Sequence, residues 1–524
     1  MVIFVQVNGG GFIVRYSNGA RDLLEATKNT APGSSSLMSP VDSPTYTRYS
    51  IMTKLAPPRR KLPRPFNPTV DKVGLAKVIL QEAFAYGFKL RQEEYRKVLL
   101  SRPCIYGTFG GRFGGFHPIK EKCVGCLRCV QENPGICHVE RNPEFYHFAD
   151  SYWVSEEAAT VSGSPVATLM IEAETGKIPI KGMGYKGPFA GPGWDSIWTD
   201  MSEIVRPTRD GVYGREFIST IVDLGGKKKF LQFPRNDTIP STRTYEVSLP
   251  IIFDHLPSNL NNQSTIESIA GAASRTGTVF IGTPDQATQT TEANRKQLIP
   301  LLSPTISDAK ANPGLIKSAL AIEMYVSDSA SLSEVRKLNP ERPIAVRLPL
   351  QSNSPEIAVG LVNDGADIIH LVANYHGRGW GEANPLYAKD LIRSVHGKLV
   401  KESLRDEVTL IASGGITRAE HVPKAIICGA DLVAIDTTVL VALQERFLGE
   451  CVSAEKGRIA KERFDTKWGE QRLVNLLAAW HDQLIEILSA MGIRDVRRLR
   501  GDVGRAMFNE DLEKEAFSDI ERST

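Results

Sequence analysis

The feature that most constrains this 524-residue sequence is a ladder of short apolar runs between residues 245 and 450, several of them followed by helical segments. Runs at 248–253, 278–282, 318–326, 344–350, 367–373, 408–413 and 431–436 are rich in β-branched residues, and one more near 298–302 completes eight. Segments 262–275, 354–364, 385–400 and 418–428 carry the helical pattern. Strands alternating with helices read as parallel βα units, and strands that are apolar along their length are covered on both faces. The expected architecture is therefore a (β/α)8 barrel over 245–450. No G-x-G-x-x-G follows the first run, which argues against a dinucleotide-binding doubly wound sheet.

The last two units carry the chemical signal. The seventh run ends Ile411-Ala412-Ser413-Gly414-Gly415-Ile416, and the eighth ends Ala434-Ile435-Asp436-Thr437-Thr438. In barrels the loops after these strands form a phosphate site beside a helix N-terminus. Glycine lets the main chain approach phosphate oxygens, and free N–H groups donate to them. Ser413, Gly414, Gly415, Thr437 and Thr438 are thus candidate contacts for a flavin phosphate tail. Asp436 either holds a ribityl hydroxyl or shapes the turn.

Ahead of the barrel, Cys123-Val-Gly-Cys126-Leu-Arg-Cys129 is followed by Cys137. Thiolates at two-residue intervals can wrap one face of an iron–sulfur cubane, as in ferredoxins, where a later cysteine is followed by proline. Here Pro134 precedes Cys137, so the fourth ligand is less defined than the first three. One [4Fe–4S] cluster on Cys123, Cys126, Cys129 and Cys137 is expected, with a [3Fe–4S] cluster as the fallback. A structural zinc site is the alternative, although zinc usually takes separated pairs. Cys104 and Cys451 are outside candidates, and Cys428 reads as core. Seven cysteines are too few for a disulfide scaffold in so long a chain, and their crowding points to a reducing, cytoplasmic setting.

A net charge of +3 gives no sign of nucleic acid or a membrane surface as partner, and no stretch approaches the ~20 apolar residues of a membrane span. Five regions are expected. Residues 1–53 form a poorly ordered extension, with Met52 opening a more purposeful segment. Residues 54–150 form a ferredoxin-like iron–sulfur region, and 151–244 a connector. The barrel occupies 245–450 and a helical region 451–524. In that last region Leu473, Leu476, Leu477, Trp480, Leu484, Ile487 and Leu488 recur at helical spacing.

These motifs, in this order, resemble the FMN domain of glutamate synthases, with the cysteine segment placed as in archaeal-type members. Pro250-Ile251-Ile252-Phe253 resembles the family's first strand, Ala321-Ile322-Glu323-Met324 a central one, and Gly377-Arg378-Gly379 a loop ahead of the phosphate site. The resemblance implies FMN near Pro250, Ile251, Arg347, Gly377 and Gly379. It also implies an oxidoreductase acting on an amino acid, imine or related amine, with electrons relayed through the cluster. Arg347 stands where the family typically has lysine and is expected beneath the flavin, or else in an ion pair inside the barrel. His376, after the sixth strand, is a candidate general acid near neutral pH, or a histidine satisfied within its loop. An electron-carrier protein or partner subunit, in an oligomer, is the expected company. The loop Gly282-Thr283-Pro284-Asp285-Gln286 and the segment Ser327-Asp328-Ser329-Ala330 depart from the family's substrate loops. These departures favour the competing reading, a noncatalytic electron-transfer subunit.

Overall fold

The computed structural model describes residues 51–511, apart from 60–63, 65, 78–79, 81–103, 105, 110–115, 124, 144–164, 178–191, 200–216, 227–242, 304–306, 327–328, 449–450, 454 and 510. Residues 1–50 of the expected 1–53 extension, much of the 151–244 connector, and Ser327-Asp328 of the altered segment lie outside the described residues.

Eight parallel strands close into a barrel: β1 (Ile251–Phe253), β2 (Phe280–Gly282), β3 (Leu298–Leu302), β4 (Ile322–Tyr325), β5 (Ile344–Pro349), β6 (Ile368–Val372), β7 (Thr409–Ser413) and β8 (Leu432–Ile435). Their order round the barrel follows the chain, so β1 pairs with both β2 and β8 and stands across the interior from β5. The sequence reading of the fold holds. Two boundaries shift for local reasons. β1 starts at Ile251 rather than 248, behind Pro250, which has no N–H to give the ladder. The apolar run at 318–326 is shared between a helix ending at Ser318 and β4.

The helices that frame the barrel include α1 (Pro165–Thr175), α2 (Gln263–Thr276), α3 (His421–Ile427), α4 (Thr437–Ala442) and α5 (Thr466–Ala490). Asn262 caps α2 by accepting from the Thr265 N–H, and Gly277 ends it in the left-handed region at φ 69°. α5 buries Leu473, Leu476, Leu477, Trp480, Leu484 and Leu488 against α1 and α2. No described helix is long and apolar enough to cross a membrane.

Two polar residues on α5 tie remote segments together. Arg472 is fully buried and donates to the carbonyls of Ala442 and Ala56, the latter at 2.8 Å. Asn475 donates to Lys54 and Ala173 at 2.7 and 2.9 Å. Residues 54–56 therefore run along the barrel's flank. The cysteine-rich region has its own small core of Leu75, Cys104, Phe109, Cys129 and Cys137 beside a two-stranded sheet, Phe66–Val70 with Cys137–Arg141. An Arg64–Glu174 ion pair at 3.2 Å joins it to α1.

Removing the Arg472 guanidinium strands buried carbonyls, each costing about 1–3 kcal/mol. Arg472→Leu is expected to lower unfolding free energy by about 3 kcal/mol, read as a reduced Tm; an unchanged Tm contradicts the clamp.

Candidate active site and thiol cluster

Charge inside the barrel is concentrated in one network. Arg347 on β5 spans the interior to Asp254, just beyond β1, with two bonds of 2.8 and 2.9 Å. Its Nη1 also donates to Glu323 Oε1 on β4 at 3.0 Å, and His370 Nδ1 on β6 lies 2.8 Å from that same oxygen. All four residues lie within the barrel wall, with Asp254, Glu323 and His370 almost wholly buried. Burial alone would raise both carboxyls, but Arg347 and His370 hold Asp254 and Glu323 below the usual carboxylate range. Arg347 is thus engaged in an ion pair inside the barrel.

At the end of β7, Gly414 and Gly415 take φ values of 92° and 71°. A Cβ on Gly415 would stand 2.5 Å from the Gly377 main chain, so these glycines allow the β7 loop to interlock with the loop after β6. Asn374 organises that second loop, its Oδ1 accepting from the N–H groups of His376 and Arg378 at 3.0 Å each. Gly379 donates to Leu386 O in the same loop. The main-chain N–H groups of Gly414, Gly415 and Ile416 have no acceptor among the described residues. The Ser413 hydroxyl and the Trp194 indole N–H, both buried, likewise have none. Trp194 Nε1 lies against Gly377, 3.8 Å from where a Cβ would stand.

The end of β8 is different. The Asp436 carboxylate accepts from the N–H of Thr437 and, at 2.9 Å, from its hydroxyl. The Thr438 hydroxyl donates to Ile416 O at 2.6 Å. Both threonine hydroxyls are therefore engaged within the protein. Asp436 caps α4 where a phosphate would sit. Burial, then the nearby Asp254, raises its carboxyl to about 7. Tyr375 lies beside it, and its N–H donates to Val452 O at 3.0 Å. Pro250 and Ile251 occupy the far end of β1, where the Pro250 carbonyl takes the Val433 N–H. The residues that β1 presents to the mouth are Asp254 and His255. This moves the expected contact along the strand.

A phosphorylated flavin fits the β7 side of this mouth. Unpartnered donors there include three main-chain N–H groups, one hydroxyl and one indole, and buried Glu323 Oε2, His255 Nδ1 and His370 Nε2 also have no partner. Buried polar atoms are rarely left unsatisfied. His376, half-buried, stays in the loop after β6.

The thiols gather more widely than the triplet suggested. Cys123 follows a short turn, and Cys126 lies in the loop after Gly125. Gly125 has φ 70°, and a Cβ there would meet the Phe66 ring at 2.3 Å. Cys129 is on a short helix, Arg128–Glu132, and Cys137 opens the strand Cys137–Arg141. Cys104 joins them. A small cavity of about 10 Å³ is lined by Cys104, Cys123, Cys126 and Cys129 with Tyr106 and Phe109. Cys451 lies instead at the barrel mouth near Asp436, and burial raises its thiol to about 12.

Sequence reasoning missed Asp254 and Glu323. A lone acid inside the apolar run Ala321-Ile322-Glu323-Met324, with a lone base in Ala345-Val346-Arg347-Leu348, was the available signal, because buried charges are paired.

Replacing Arg347 by methionine leaves two buried carboxylates without their cation. The expected cost is about 3–5 kcal/mol at pH 7. Asp254 and Glu323 have depressed values, so the stability they lend is present above the ordinary carboxylate range and is lost as pH falls below it. The gap between wild type and Arg347→Met in urea unfolding should therefore narrow near pH 4; an equal gap at both pH values contradicts the pairing.

The conserved region in glutamate synthase, as a family model, matches residues 321–494. An archaeal glutamate synthase [NADPH] of Archaeoglobus fulgidus is 25% identical over 452 residues, covering 73% of this chain and 85% of its own. The archaeal-type glutamate synthase [NADPH] of Thermotoga maritima is 24% identical over 490 residues, covering 79% and 93%. The archaeal glutamate synthase [NADPH] of Methanocaldococcus jannaschii reaches 32% over 231 residues, covering 41% and 43%.

Proposed function

From the premise that this chain belongs to the glutamate-synthase-like family and is a glutamate-synthase-like oxidoreductase, we propose that it binds FMN at the barrel mouth and an iron–sulfur cluster at the cysteine cavity. Its substrate would be an amino acid, imine or related amine. The observation that carries this reading is the set of unpartnered donors at Ser413, Gly414, Gly415, Ile416 and Trp194. They would hold the phosphate tail from the β7 side alone.

FMN, when bound, supplies hydride chemistry, and the cluster supplies single electrons. The chain's own part is positioning and charge. The network of Arg347, Asp254, Glu323 and His370 sets two buried acids against one guanidinium, which offers an ammonium or iminium group carboxylate acceptors rather than a surplus cation. Arg347 fixes the two acids and brings no surplus positive charge to the mouth. With His370 Nδ1 engaged by Glu323, its Nε2 is the ring atom left open to a ligand. His376 is a second candidate on the loop. An electron-carrier protein or partner subunit would exchange electrons at the cysteine-rich region.

The neutralised Arg347 favours a second reading, the noncatalytic relay subunit. Anaerobically purified protein separates the two when assayed for flavin, iron and sulfide and then titrated with amino acids and amines. Bleaching of the flavin band by one of these substrates is expected. Flavin reduced by dithionite but by none of them supports the relay, and protein that takes up no FMN contradicts both.

Asp436 makes FMN binding pH-dependent. Its carboxyl is neutral below about 7 and anionic above, so it repels phosphate as pH rises through that value. FMN affinity of the wild type should fall between pH 6 and pH 8. Asp436→Asn should bind about tenfold more tightly at pH 8, a difference of about 1.4 kcal/mol, with little gain at pH 6. The raised folded value also removes stability as pH climbs from the ordinary carboxylate range to about 7. Asp436→Asn should accordingly have the higher Tm at pH 8. Equal fluorescence titrations for the two proteins at both pH values contradict the placement.

A further inference from the structure

Five cysteines meet in the amino-terminal region, one more than a four-thiolate centre needs. We propose that Cys104, Cys123, Cys126 and Cys129 are the four ligands and that Cys137 stays outside the set, supporting Cys129. The inference rests on the cluster reading given above and replaces its fourth ligand.

Three independent features carry it. First, the cavity is lined by Cys104, Cys123, Cys126 and Cys129, and not by Cys137. The charge neighbours of Cys123 are Cys129, Cys104 and Cys126, again without Cys137. Second, Cys137 is already engaged. It is fully buried at the start of a strand, paired with Val70 in an antiparallel register, and it lies beside Cys129. Third, Cys104 is built as a ligand. The Thr108 N–H points at its sulfur at 3.4 Å, and the Gly107 N–H closes a turn onto its carbonyl at 3.1 Å. N–H···S bonds of this kind tune cluster thiolates.

The chemistry of ferredoxin-type runs agrees. In two-cluster ferredoxins three closely spaced cysteines bind one cluster, the next cysteine along the run serves the other, and a sequence-remote cysteine completes the first. This chain has one triplet, so the remote position falls to Cys104, upstream, and Cys137 has no second cluster to serve.

The test uses the full chain, reconstituted anaerobically with ferrous iron and sulfide. Iron and sulfide content, the visible absorption band and electron paramagnetic resonance are the readouts. Wild type should hold a [4Fe–4S] cluster. Cys104→Ser should lose one iron in about four and show the signal of a three-iron centre when oxidised. Cys137→Ser should keep the wild-type iron content and cluster type, with a shifted reduction potential. Near-wild-type circular dichroism guards against unfolding, and Cys104→Ala provides a second variant without oxygen as a substitute ligand. The assignment is overturned if Cys104→Ser and Cys104→Ala keep a full cluster while Cys137→Ser loses iron. If wild type takes up zinc and no iron, the cluster reading falls. Zinc content of the same variants then decides the ligand set by the same comparison.

Discussion

The bond on which the rest of the barrel depends is the one from Arg347 to Asp254. It crosses from β5 to the end of β1, strands on opposite sides of the closed sheet, and so fixes the width of the interior at its functional end. Glu323 and His370 are drawn into the same network through Oε1 and Nδ1, while Glu323 Oε2 and His370 Nε2 stay without a hydrogen-bond partner among the described residues. Ion pairs at this depth are costly to break and add little net stability over an apolar core. Their value lies in specifying one arrangement of side chains where a ligand must be held in register.

That arrangement sets the chemistry of the mouth. A guanidinium satisfied by two acids has lost the free positive charge that a reduced flavin edge would welcome. What it provides is a rigid floor in which two acids flank one guanidinium. The β7 and β8 loops then differ in the donors they leave open. The β7 side keeps its main-chain donors open because Gly414 and Gly415 interlock with the loop after β6. The β8 side has supplied its own anion, Asp436, to the start of α4.

Much of the fold was legible in the sequence because it follows from periodicity. All eight strands and the long helix α5 lie where apolar runs placed them, and the leucines of α5 face the core as their spacing required. The site was less legible, for a physical reason. The partners Asp254 and Arg347 are 93 residues apart, and their contact follows from barrel closure rather than from any local pattern. The same holds for Arg472 and Ala56, 416 residues apart. Thr437 and Thr438 looked like open donors because sequence does not reveal that Asp436 and Ile416 accept from them first. Cys104 was underweighted because it lies outside the triplet, although the fold brings it to the same cavity.

The claim at the centre of this account is that a phosphate group can be held from the β7 loop while the Arg347–Asp254 bridge stays closed. A crystal structure of the anaerobically prepared protein soaked with FMN tests it most directly. The account predicts phosphate density against the N–H groups of Gly414, Gly415 and Ile416, with Asp436 still capping α4. Phosphate seated on Thr437 and Thr438 with Asp436 turned away, or a mouth without flavin in protein whose cysteine cavity is filled, would contradict it.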